Sequence, residues 1–84
     1  MTKPGKLLQQ LLRSTERSVS FADFERLLAA LGFVHRRTVG SHRHYRHPAV
    51  PFVFTINPDG KEAYRYQLRR LLDHVEQFGL HIEP

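Results

Sequence analysis

The sequence predicts an α+β domain in which a three-stranded antiparallel sheet packs helices on one face and leaves its other face for function. Apolar residues recur at helical spacing up to Leu31 and again after Ala63. Between these segments, β-branched and aromatic residues alternate with turn signals, which is typical of strands. The chain has 84 residues, enough for one domain. We expect this domain to span residues 1–84, with a helical extension at 1–15 and a core at 20–80.

Three segments have the pattern of amphipathic helices. The first runs from Lys3 to Arg13 and carries paired leucines four residues apart. The second follows Ser20, a residue type that caps helix N-termini, and ends at Gly32, where a left-handed residue is favoured. The third runs from about Ala63 to Phe78 and ends at Gly79. The apolar faces of all three are expected to form the core.

The intervening segment predicts a β-meander. Phe33–Val39 and Ser41–His47 are the first two strands, joined by the turn residues Gly40-Ser41. Val50–Asn57 is the third strand, and its apolar residues on both faces favour a central or doubly covered position. Pro51 cannot donate a ladder hydrogen bond, so we expect this last strand to begin irregularly. Asn57-Pro58-Asp59-Gly60 then predicts a turn.

Composition limits the classes of function. A net charge of +5 and a pI of about 10.2 favour an anionic partner such as nucleic acid. The absence of Cys excludes a disulfide framework and a thiolate metal site. The sequence has no apolar run of bilayer-spanning length and no signal-peptide pattern. We therefore expect a cytoplasmic protein with no membrane partner.

The most informative feature is a basic run between His35 and His47, which holds four histidines and four arginines. No carboxylate occurs from Arg26 to Pro58. Because strand side chains alternate, the second strand should divide into two sets of residues. If Tyr45 packs toward the helices, the opposite face presents the set His42, His44 and Arg46.

This face has the groups needed to cleave RNA through its 2′-hydroxyl. An imidazole can withdraw the hydroxyl proton or protonate the leaving 5′-oxygen, and arginines can stabilise the charge on the phosphorane. The mechanism needs no metal and no other cofactor. Gly40 allows close approach of a ligand. Either His42 or His44 can supply the imidazole, and the candidate RNA-binding residues are Arg36, Arg37, Gly40, Ser41, Arg43, His44 and Arg46.

Each of these features has a simpler interpretation. The arginines can form a solvated face, although such a face usually mixes charges of both signs. A metal site from His35, His42 and His44 lacks a completing carboxylate or Cys. Tyr66 can stack a nucleic-acid base, but we expect a half-buried core tyrosine. His47, like His35, is expected to be a bystander.

The segment Gly40-Ser41-His42-Arg43-His44-Tyr45, followed by His47-Pro48, resembles the Gly-Ser-His-x-x-aromatic signature of HicA toxins. Asn57–Lys61 and Tyr66–Arg69 resemble the segment that enters the last helix in one branch of that family. The resemblance covers about Phe21 to Leu80. It implies a fold like that of double-stranded-RNA-binding domains, and an mRNA interferase whose catalytic histidine is His42. It also implies a HicB-like antitoxin that covers the site.

Two features depart from the family pattern. Lys6–Arg13 lies outside the minimal family and is a candidate for dimerisation or for contact with the antitoxin. Asn57 stands where many members carry another histidine, so His44 is the nearest candidate for an acid–base partner. The alternative function is a non-catalytic RNA-binding module on the same fold. A dimer and a toxin–antitoxin hetero-oligomer both stay open, as does the cleavage-site preference.

Overall fold

The computed structural model describes residues 2–82. Within them, three helices and a three-stranded antiparallel sheet form the order that the sequence predicts. The main elements are α1 (Pro4–Arg13), α2 (Phe21–Ala30), β1 (Val34–Val39), β2 (His42–His47), β3 (Val50–Ile56), β4 (Pro58–Asp59), β5 (Glu62–Ala63) and α3 (Arg65–Phe78). The part from α2 to α3 has the helix–sheet–helix layout of a double-stranded-RNA-binding domain, with α1 added in front. The predicted fold class is confirmed.

Both ends of α2 are defined by local chemistry. The Ser20 hydroxyl accepts a hydrogen bond from the Asp23 backbone N–H at 3.1 Å, as expected of an N-cap. At the other end, the Phe33 N–H donates to the Leu28 carbonyl at 3.0 Å, which is half of a Schellman motif. Gly32 has a φ of 99°, and a Cβ there would lie 3.0 Å from the His47 imidazole. Glycine is therefore required both by the backbone angle and by the close approach of β2.

The core lies between the three helices and one face of the sheet. Its largest fully buried side chains are Phe24, Phe54, Leu11, Leu27, Leu28, Ile56, Leu68 and Leu71. α1 contributes Leu7 and Leu11 to this cluster, so the N-terminal extension packs into the same core as the rest of the chain. Leu12 on the same helix stays exposed.

The position of β3 differs from the expectation. In the described residues it pairs only with β2, so it is an edge strand and not a central one. Phe54 and Ile56 face the helices, while Val53 is 45 % exposed on the other face. The apolar residues on both faces predict a strand that is covered on both sides, because the residue type alone does not distinguish an exposed valine from a buried one.

The predicted turn at Asn57–Gly60 is instead a short hairpin of β4 and β5, whose own turn is Gly60-Lys61. Because Ala63 pairs with Pro58 in this hairpin, α3 begins at Arg65, two residues later than predicted. The helix ends at Gly79 as predicted, with a left-handed φ of 63°. Among residues 2–82, no helix combines the length and the apolar character needed to cross a bilayer.

Candidate functional site

β2 presents different residues to the two faces of the sheet. Tyr45 is only 4 % exposed and packs toward the helices, as predicted. Alternation then places His42, His44 and Arg46 on the face that the helices leave uncovered, which we call the open face.

Three arginines and one histidine line a shallow groove of about 450 Å³ on the open face. The lining residues are Arg36, Arg37, His44, Arg46, Val53 and Thr55. In the described residues, none of these three arginines forms a salt bridge. The groove therefore carries three unneutralised positive charges beside an imidazole.

A β-bulge explains how two consecutive arginines reach one groove. His35 pairs with Tyr45 and Arg37 pairs with His44, so β1 has one residue more than β2 at this point. Regular alternation would send Arg36 and Arg37 to opposite faces, and the extra residue removes that restriction. Both candidate arginines of β1 therefore lie in the groove with His44.

His44 is held by a side chain that the sequence did not single out. Its Nδ1 lies 2.8 Å from the Thr55 hydroxyl on β3, directly across the ladder. The imidazole is partly buried in the groove. This hydrogen bond fixes the orientation of the ring beside the arginines. The pairing of His44 with Thr55 depends on the strand register, which no local pattern reveals.

His42 lies at the edge of the same face, at the first position of β2. It follows the two-residue loop Gly40-Ser41, where Gly40 has a φ of 60° as in a type II′ hairpin turn. The imidazole is exposed and has no hydrogen-bond partner in the described residues. Because Gly40 has no side chain, a ligand can approach His42 from the side of the turn.

Arg43 lies on the helix side of β2, unlike the other arginines of the run. Its guanidinium donates to both carboxylate oxygens of Glu25 on α2, at 2.7 and 2.8 Å. The expectation that all four arginines lack a carboxylate partner is therefore wrong for Arg43. Glu25 lies outside the acid-free segment in sequence but is brought back to it by the packing of α2 on the sheet.

Glu25 also accepts a hydrogen bond from the Tyr45 hydroxyl at 2.6 Å. Burial, together with this negatively charged partner, raises the pKa of Tyr45 well above its usual range. We call Glu25, Arg43 and Tyr45 the carboxylate clamp. It fixes the two residues of β2 that alternate with His42 and His44, and so fixes the strand that carries them.

The other two histidines of the run have structural contacts. The His47 Nε2–H donates to the Leu31 carbonyl at 3.0 Å, and its Nδ1 accepts from the Ala49 N–H at 3.0 Å. His35 stacks on the Tyr45 ring and lies 2.8 Å from the Thr38 hydroxyl. His35 is thus on the opposite side from His44. Within residues 2–82, no three histidine or carboxylate side chains come together as a metal site would require.

Tyr66 is half-buried, as expected, but it is not part of the buried core. Its side chain is 50 % exposed at the start of α3. The neighbouring Gln67 is buried instead, and its side-chain amide pairs with Asn57 at the end of β3. The residue expected to pack in the core is therefore available at the surface.

The layout of α2, the three-stranded sheet and α3, with a Gly-Ser-His turn opening β2, places this chain among the small domains built like double-stranded-RNA-binding domains. Residues 21–80 match the family described as the HicA toxin of bacterial toxin–antitoxin systems. The chain belongs to the HicA toxin family, and the matched region runs from the first residue of α2 to just beyond α3, without α1. Comparison with curated proteins and with solved structures found no match.

Proposed function

We propose that this protein is the toxin of a toxin–antitoxin pair and acts as a metal-independent endoribonuclease on mRNA, with His42 as the catalytic residue. Membership of the HicA toxin family supports the toxin assignment. The enzymatic part of the proposal is supported by the residues of the open face. In the described residues, the exposed His42 imidazole has no hydrogen-bond partner, and three arginines on the same face, Arg36, Arg37 and Arg46, have no carboxylate partner.

The proposed reaction is transfer within the RNA strand. The 2′-oxygen attacks the adjacent phosphorus, the bond from phosphorus to the 5′-oxygen breaks, and a 2′,3′-cyclic phosphate forms. His42 accepts the proton of the 2′-hydroxyl or donates one to the leaving oxygen. Arg36, Arg37 and Arg46 stabilise the additional negative charge of the phosphorane. His44, held by Thr55, is the nearest group for the second proton transfer.

Substitution of His42 tests this proposal. A general acid or base contributes about 10²- to 10⁴-fold, so His42→Ala should lower the rate of RNA cleavage by about that factor. The fold should be unaffected, because an exposed side chain without contacts is removed. His81→Ala is the matched control, since this exposed histidine lies in the segment after α3. Expression of the wild-type chain should arrest growth, and expression of His42→Ala should not.

The substrate supplies a second test. An oligonucleotide with 2′-deoxyribose at every position should bind but remain intact, because the attacking hydroxyl is absent. Cleavage of that oligonucleotide would contradict the mechanism. If His42→Ala cleaves RNA and arrests growth like the wild type, His42 is not the catalytic group. If neither protein cleaves RNA, both arrest growth and both bind RNA at low salt, the alternative of a non-catalytic RNA-binding module is correct.

We further propose that a HicB-like antitoxin neutralises the toxin in the cytoplasm by covering the open face. The family is one of toxin–antitoxin pairs, and an acidic surface would complement a face that lacks carboxylates. Co-expression with the antitoxin should restore growth. Arg37→Glu should weaken the complex, and an unchanged affinity for the antitoxin would place the interface elsewhere.

A further inference from the structure

The open face has no aromatic platform for nucleic-acid bases. In residues 2–82, the phenylalanines and Tyr45 are either buried or packed on the helix side of the sheet. Arginines and an imidazole can hold phosphates and move protons, but proteins that bind single strands usually add aromatic rings on which bases stack. The nearest exposed rings must therefore come from another element.

Such rings occur at the start of α3. Tyr64 and Tyr66 have ring centroids 5.5 Å apart, and the Arg70 guanidinium lies 5.8 Å from the Tyr66 centroid. Tyr66 is half exposed, and Arg70 has no salt bridge in the described residues. Aromatic rings and guanidinium planes are the two side-chain surfaces that stack on unpaired bases. We call Tyr64, Tyr66 and Arg70 the tyrosine platform.

The platform is held in place by the end of the sheet. The Gln67 amide donates to the Tyr66 hydroxyl at 3.0 Å and to the Asn57 side chain at 2.8 Å. Gln67 itself is almost completely buried. The Tyr66 ring is therefore fixed before any ligand arrives, which lowers the entropic cost of binding.

The same contacts place the platform near His42. Asn57 follows Ile56, and Ile56 pairs with Arg43, the neighbour of His42 on β2. The Gln67–Asn57 bond thus brings the first turn of α3 to the end of the sheet where β2 begins. The tyrosine platform and His42 therefore lie at the same end of the sheet, where one RNA strand can contact both.

The groove at the tyrosine platform is less basic than the open face, which favours a base over a phosphate as its ligand. Tyr64 and Tyr66 line a groove of about 390 Å³ that contains two carboxylates, Asp59 and Glu62, and two arginines, Arg17 and Arg65. Carboxylates repel phosphate but accept hydrogen bonds from the amino groups of bases. Arg65, on the same groove, is 3.5 Å from the Glu16 carboxylate, so part of its charge is already neutralised.

From these observations we infer that the tyrosine platform binds an unpaired RNA base next to the cleavage site. This rests on the proposed function. If the platform binds a base in this way, the enzyme requires a single-stranded, unstacked nucleotide beside the bond that it cuts. The open face then binds the backbone, and α3 binds the base.

The experiment measures affinity for a fluorescent single-stranded RNA in the His42→Ala background, where the strand is not cut. Loss of one stacked base corresponds to about 5- to 150-fold in Kd, so Tyr66→Ala should weaken binding by a factor in that range. Tyr66→Phe keeps the ring and loses only the hydrogen bond from Gln67, so its affinity should lie closer to that of the parent than to that of Tyr66→Ala. Leu12→Ala is the control for truncation of an exposed apolar side chain, because Leu12 lies on α1.

An abasic nucleotide placed at successive positions of the RNA identifies the base. At one position it should weaken binding to the parent protein and have no effect on Tyr66→Ala. Equal affinities of Tyr66→Ala and its parent, or an abasic effect that persists in Tyr66→Ala, would overturn the inference. The proposed catalysis fails by a separate result, equal cleavage by wild type and His42→Ala, so the two failures are distinguishable.

Discussion

The arginines of the basic run should differ in how they affect the salt dependence of RNA binding. Arg37 lines the open groove and has no carboxylate partner in the part of the chain that the structure describes, whereas Arg43 is paired with Glu25 on the helix side. Each phosphate neutralised on a single strand contributes about 0.7 to the slope of log affinity against log salt. Arg37→Gln should therefore reduce the slope by about 0.7, and Arg43→Gln should leave it unchanged.

The magnitude is large enough to measure. If all three open-face arginines contact phosphates, together they contribute about 2 to the slope, or about a 20-fold loss of affinity between about 50 and 200 mM salt. Removal of one contact reduces that loss to about 7-fold. Fluorescence anisotropy with a labelled single-stranded RNA gives the slopes. The titrations use the His42→Ala background and one fixed pH, so that the RNA stays intact and the charge of the histidines does not vary.

Stability must be measured alongside binding, because Arg43→Gln disrupts the carboxylate clamp. The pair is partly exposed to solvent, so we expect a cost of about 1 kcal/mol, or a Tm lower by about 4–8 °C. Arg37→Gln should leave the Tm within about 2 °C of the parent. The reasoning would be refuted if Arg43→Gln lowered the salt slope as much as Arg37→Gln, or if Arg37→Gln did not change it.

Three further predictions concern single contacts. Tyr45→Phe removes the hydrogen bond to Glu25, so it should lower the free energy of unfolding in urea by about 1 kcal/mol. Because the pKa of Tyr45 is raised in the fold, the free energy of unfolding of the wild type should fall as the pH rises above about 10. An equally steep decline in Tyr45→Phe would contradict this. Thr55→Val should lower kcat about tenfold with KM unchanged, because His44 loses the hydrogen bond that orients it. Thr55→Ser keeps a hydroxyl and should retain activity. Equal kcat values for Thr55→Val and wild type would exclude His44 as an oriented participant. Burial, and secondarily a nearby arginine, lower the pKa of His74 in the fold, so the unfolded chain binds a proton more readily and stability should fall below about pH 6.5. His74→Leu should reduce this loss of stability at acid pH. An unchanged loss in His74→Leu would mean that another group causes it.

Local patterns predicted the elements of this fold because the signals that define them lie within a few residues. Ser20 and Gly32 mark the ends of α2 through hydrogen bonds to neighbours three to five positions away. The Gly40-Ser41 turn and the alternation along β2 likewise follow from adjacent residues. The side of the sheet on which His42 and His44 lie could therefore be predicted once Tyr45 was assigned to the core.

The features that were missed depend on register and on contacts distant in sequence. Glu25 and Arg43 are eighteen positions apart, and only the packing of α2 on β2 brings them together. The bulge that turns Arg36 into the groove is a property of the β1–β2 ladder, because neither strand contains a glycine or proline at that point. The Thr55–His44 bond requires the register of β2 and β3.

The alternation of β2 separates the residues that hold the strand from those that remain available to a ligand. Arg43 and Tyr45 are bound by a carboxylate from α2, and His47 is bound by the Leu31 carbonyl at the end of that helix. On the opposite face lie His42, which has no hydrogen-bond partner in residues 2–82, and His44, which is bound by Thr55. The same helix therefore neutralises the inward charges of the basic run and leaves the outward charges free. Substitutions at the inward positions should reduce stability first, whereas substitutions at the outward positions should reduce RNA binding or cleavage in a protein that still folds.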